Sequence, residues 1–89
     1  MEIEVYDTHA TSEKGIKIHF DVMLAIGANE GHASSYAQDF IKIIAESTDS
    51  VKLDSCKFCH TEEAKTNVSE KVEKDGYCIV PIENCPNPY

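Results

Sequence analysis

The chain has no arginine and no tryptophan, only four glycines and three prolines, and no apolar run near the ~18 residues that a bilayer-spanning helix needs. All eight basic residues are lysines, set against sixteen acidic ones, for a net charge of −8. Such a surface offers nothing to a phosphate backbone and is repelled by anionic lipid, so neither nucleic acid nor membrane is an expected partner. The glycines at 15, 27, 31 and 76 are dispersed, which leaves no phosphate-cradling loop. Also missing are a serine in a strained elbow and an H-E-x-x-H pair, so an enzyme is not the favoured expectation. The opening MEIEVYDTHATSEKG lacks a basic segment followed by an apolar one. A cytoplasmic location is therefore expected, and there the four cysteines are expected as free thiols, metal ligands or redox groups, not disulfides.

What is present is enough for one core. Eighty-nine residues, 42% of them hydrophobic, make a single domain with a modest interior. The clearest pattern is IKIHFDVML, in which Ile16, Ile18, Phe20, Val22 and Leu24 point one way and Lys17, His19, Asp21 and Met23 the other. This alternation predicts a half-buried strand. The run EIEVYD, with Ile3 and Val5 on one face, predicts a partner strand across a loop of eight or nine residues. From Asn29 the period changes: Tyr36, Ala37, Phe40, Ile41 and Ile44 share one helical face, with Asn29 or Ser34 as cap and Glu46–Ser50 as the stop. SVKLDSCKF then reads as a strand. A second helix follows, with Thr61 or Thr66 as cap and Asp75-Gly76 as its end, and Ala64, Val68 and Val72 on one face. YCIVPI reads as a last strand at a sheet edge, because proline cannot donate to a ladder. The order ββαβαβ predicts an α+β fold, with both helices on one face of a four-stranded mixed sheet over residues 1–85 and a short tail at 86–89. The second face, bearing Lys17, His19, Asp21 and Tyr6, is left for solvent, a protein partner or a second copy.

The motif Cys56-Lys57-Phe58-Cys59-His60 has three chemical readings. C-x-x-C-H is the attachment signature of a c-type haem, but attachment requires export, so haem is not expected. Two thiolates two residues apart can grip one zinc ion if a turn brings both sulfurs to one side. Cys85 is then the third candidate ligand, and His60, or else His9 or His19, the fourth. A redox dithiol is the third reading, although the motif follows a strand instead of opening a helix. Beside these stands the plain alternative that cysteine packs as a small hydrophobe, which suits Cys78 in its apolar strand. His19 and Asp21 form a separate candidate: a carboxylate near an imidazole on the open face is raw material for acid–base catalysis, and equally an ordinary solvated surface.

Five fragments in order, VYDT (Val5–Thr8), HFDV (His19–Val22), CKFCH with the following Glu-Glu-Ala, Gly76-Tyr77-x-Ile79 and Cys85, resemble a small bacterial family known as domain of unknown function two thousand and twenty-four. The resemblance implies a small α+β domain without an established activity. It also implies that Asp7, His19, Asp21, Cys56, Cys59, His60 and Cys85 belong to a shared pattern. The expectation is a small acidic binding or regulatory module with a zinc or thiol site at Cys56, Cys59, His60 and Cys85. One alternative is an enzyme using His19 and Asp21, with Asp7. Another is a homodimeric interaction protein with no metal. The sequence names no small-molecule ligand.

Overall fold

The computed structural model describes residues 1–46 and 51–85. The elements are β1 (Glu2–Ser12), β2 (Lys17–Ala25), α1 (Glu30–Glu46), β3 (Val51–Glu63), α2 (Thr66–Asp75) and β4 (Cys78–Glu83), in the predicted ββαβαβ order. The expected stop of α1 beyond Glu46 and the tail at 86–89 lie outside the described residues.

β1 and β2 form a hairpin whose connection is four residues, 13–16, shorter than the eight or nine expected. The polar half of β1, Asp7–Thr11, pairs with β2 throughout, down to Thr11 opposite Lys17. Gly15 closes the turn with φ 84°, a left-handed conformation open to glycine, and its N–H donates to the Ser12 carbonyl at 2.9 Å. Ile16 therefore belongs to the turn and is 48% exposed; it does not start the inward-facing row.

The strand order is β3-β1-β2-β4 and every neighbouring pair is antiparallel. The sheet is not mixed as the sequence suggests. The unit β2-α1-β3 does run its two strands in the same direction, as a helical crossover would, but β1 lies between them. No parallel ladder can form.

The two helices also lie on opposite faces of the sheet, not on one. Directly opposed residues in a ladder share a face, so the pairs Tyr6–Val22, Thr8–Phe20 and Ala10–Ile18 define one side. That side is covered by α1 through Ala33, Ala37, Phe40, Ile41 and Ile44. Phe20 meets Phe40 edge to face at 4.9 Å between ring centroids. Asn29 caps α1, its Oδ1 accepting from the His32 N–H at 2.9 Å. Tyr6 is buried on this side, against the expectation that it faces outward.

On the other side Ile3, Val5, Met23 and Cys78 pack under Val68 and Val72 of α2. Neither Thr61 nor Thr66 caps α2: Thr61 is still in β3, Thr66 is already the first helical residue, and Lys65 holds the cap position without a side-chain bond. Gly76 ends the helix with φ 88°, and a Cβ there would sit 3.0 Å from the Tyr36 hydroxyl. Two-residue links join α2 to β3 and to β4, the two edges of the sheet. Ten helical residues rise about 15 Å, and three strand spacings amount to about 14 Å. Helix α2 therefore bridges the sheet crosswise at one end, and among the described residues no other element covers the rest of that face.

Met23 tests this arrangement. On a solvated face Met23→Ala would change stability by no more than about 0.5 kcal/mol; beneath α2 it is expected to lose about 2–5 kcal/mol in denaturant unfolding.

Candidate functional site

The open part of the second face is the stretch of β1 and β2 beyond the reach of α2. Its ladder sets Asp7 opposite Asp21 and His9 opposite His19. The imidazoles of His9 and His19 stack, with ring centroids 4.2 Å apart and planes 14° from parallel. Both turn their Nε2 atoms toward one carboxylate. His9 Nε2 lies 2.9 Å from Asp7 Oδ2, and His19 Nε2 bonds Asp7 Oδ1. An ionised carboxylate only accepts, so both Nε2 atoms carry the proton and donate. Asp7 is thus a clamp between two rings delivered by different strands.

Electrostatics separate the two aspartates of the ladder. Hydrogen bonding from His19 is the main force holding the Asp7 carboxyl below its ordinary value, and His9 adds to it. Asp21 moves the other way: burial raises it first, and the nearby Asp7 charge raises it further. His19 is bonded to Asp7 across the ladder, not to Asp21 along its own strand. The polar face continues outward, where Lys17 Nζ donates to Thr11 Oγ1 at 3.3 Å and Thr11 Oγ1 donates to Asp54. A groove of about 220 Å³ on the same side, beside α2, is lined by Ile3, Met23, Val68 and Val80, with Glu62 and Lys65 at its rim. It includes none of the histidines or aspartates just named.

The residues of the expected zinc site are not brought together. CKFCH lies inside β3, where the chain is extended, and no turn swings its two sulfurs to one side. Cys56 faces α1 and its thiol accepts from the buried Thr8 hydroxyl at 3.4 Å. Cys59 is exposed at a ladder irregularity between Phe58 and His60. His60 is on the opposite side from Cys56, opposite Val5, and bonds Glu62 at 2.7 Å. Cys85 follows β4 at the other sheet edge, about three strand spacings or ~14 Å from β3, and its half-buried thiol donates to the His19 carbonyl at 3.4 Å. Burial pushes that thiol's pKa up, which disfavours a thiolate there. Among the described residues, Asp7, His9 and His19 alone form a group of three ligand atoms within 4.8 Å of one another.

Of the catalytic candidates read from the sequence, Asp7, His19 and Asp21 do share one patch. His9, which the sequence offers only as an alternative fourth ligand for the cysteines, joins Asp7 and His19 in that patch. The signal that would have found it is the alternation Asp7-x-His9 combined with a hairpin centred on Lys14, which sets residue 9 opposite residue 19.

The raised Asp21 has a measurable consequence. A carboxyl whose folded value exceeds its unfolded one favours the unfolded chain once pH passes the unfolded value near 3.8. Asp21→Asn is therefore expected to match wild type in stability below that pH, to gain on it as pH rises through the folded value, and to keep the gain at neutrality. Unfolding curves taken from pH 3 to 7 check this, and a constant difference across the range would refute it.

The comparisons with known proteins agree with this fold. No curated protein matches the chain. Protein NE1680 from Nitrosomonas europaea, a structural-genomics target solved by NMR, is 34% identical over 97% of this chain and all of its own, with a TM-score of 0.78. The family described as Domain of unknown function (DUF2024) matches residues 1–82, and the chain belongs to it.

Proposed function

We propose that this protein is a small binding module for a divalent transition metal, held by Asp7, His9 and His19. The observation that carries the reading is the convergence of two imidazole nitrogens and one carboxylate within 4.8 Å on an accessible sheet face. Two imidazoles and a carboxylate suit zinc, iron, cobalt or nickel better than calcium or magnesium, which take all-oxygen shells. Three ligands on one side of an ion leave positions open for water or an incoming ligand, as in catalytic and sensing sites rather than closed structural ones. The protons now on both Nε2 atoms must move to Nδ1 or to solvent for the nitrogens to coordinate. Asp7 is held ionised, ready to coordinate without first losing a proton. The acidic surface, net −8, also draws cations to it.

Support for an enzyme using His19 and Asp21 is weaker, since His19 is engaged by Asp7 and the groove beside α2 does not reach the pair.

Cobalt titration followed by visible absorption, with native mass spectrometry of the zinc form, tests the metal reading. One ion per chain is expected. Asp7→Ala, His9→Ala and His19→Ala should each weaken binding by roughly a hundredfold or more, since removing even an outer-shell partner of a ligand costs 10–100-fold. Cys56→Ser, Cys59→Ser and Cys85→Ser should leave it unchanged. Acidification should release the ion as the imidazoles protonate. Loss of binding in the cysteine variants, or no ion in the wild type, would refute the assignment.

A further inference from the structure

We infer that two copies of this chain associate through their β3 edges into one continuous eight-stranded sheet, in a register centred on Lys57. β3 and β4 are the two edges of the sheet. β4 is six residues long and carries Pro81, a common edge guard. β3 is thirteen residues long without a proline, and it presents Phe58, 49% exposed, along its length.

Two ladder irregularities normally spoil an edge for pairing: one falls at Asp54, between Leu53 and Ser55, and one at Cys59. Here they lie on either side of Lys57 and select a register. Val51, Leu53 and Cys56 pack on the α1 side, and Phe58 meets Tyr6 there. Lys52, Ser55, Lys57, His60 and Glu62 oppose the second-face residues Thr11, His9, Asp7, Val5 and Ile3. Asp54 turns to the same side to accept from Thr11. Two strands related by a two-fold axis perpendicular to the sheet must oppose residues of the same face.

Centring the pair on Cys56 sets Asp54 against Phe58, and centring it on Phe58 sets Cys56 against His60; both mix faces. Axes between residues 56 and 57, or 57 and 58, oppose direct neighbours of opposite face. Centring on Lys57 sets Val51 against Glu63, Lys52 against Glu62, Leu53 against Thr61, Asp54 against His60 and Cys56 against Phe58, each on a common face. The ladder irregularities then lie near-symmetrically about the axis.

Charge agrees with geometry away from the axis. Lys52 opposes Glu62 and Asp54 opposes His60, each twice by symmetry. Phe58 is covered by the thiol of Cys56 in the second copy. The two Lys57 side chains meet at the axis, each beside its own Asp7. The open face bearing Asp7, His9 and His19 is not consumed, and the dimer does not rest on metal binding.

Sedimentation velocity in chelator, from micromolar to several hundred micromolar chain, reads the association. Wild type is expected to dimerise within this range. Lys52→Glu or Glu62→Lys alone creates two like-charge pairs and should weaken the dimer roughly tenfold or more. Combining the two restores it, which separates lost pairing from lost folding. Ser55→Cys places a thiol opposite Cys59 of the second copy and should give an intermolecular disulfide under mild oxidation, absent when Cys59→Ser is added. A wild type monomeric at every concentration, single reversals that leave the dimer intact, or a combined variant no better than the singles would each overturn the inference.

Discussion

Everything in this molecule follows from the register of one hairpin. Side chains alternate with period two, so a slip of one residue between β1 and β2 would exchange the contents of the two faces. In the observed register Tyr6, Thr8 and Ala10 join Val22, Phe20 and Ile18 under α1, while Asp7 and His9 join Asp21 and His19 on the other side. The core and the candidate site are thus two readings of the same nine residue pairs. Burial of Phe20 and Val22, both fully inaccessible, holds the polar cluster in place without any residue of the cluster supplying that energy.

The second determinant is the length of α2. A helix much longer than ten residues would overshoot the sheet, and one much shorter could not reach from β3 to β4. Because it crosses the strands instead of running along them, it shields only the end where Ile3, Val5 and Met23 lie. Sheet strands are far longer than a helix is wide, so a band of β1 and β2 remains uncovered. The Asp7 clamp occupies that band.

Much of this was written in the sequence, and the exceptions have physical reasons. The alternation Ile18 to Leu24 gave one buried face correctly, and Asn29, Gly76 and Pro81 marked a cap, a stop and an edge as expected. Met23 misled because a strand buried on both faces at one end looks half-polar when read along its whole length. Tyr6 misled because polarity alone does not say which face a tyrosine takes; its hydroxyl reaches Glu4 at 2.9 Å, and burial with that contact pushes its pKa up to about 12. The C-x-x-C-H spacing misled most. It implies a shared site only when a turn lies between the cysteines, and whether residues 56–59 turn or extend depends on pairing with β1, some fifty residues earlier. Long-range pairing also fixed the sheet order, and no local pattern encodes it.

The central place of β1 bears on how the chain comes to be folded. The first strand is an inner strand, flanked by β2 on one side and β3 on the other. Its pairing with β2 closes across a short turn, but its pairing with β3 joins residues 39 positions apart at Ser12 and Val51 and 61 apart at Glu2 and Glu63. Half of the hydrogen-bonding capacity of β1 therefore waits for a strand that begins only past the midpoint of the chain. During synthesis the hairpin and α1 can assemble early, exposing the flank of β1 until β3 arrives to cover it. The same strand that anchors the finished sheet is, for that interval, its most adhesive edge.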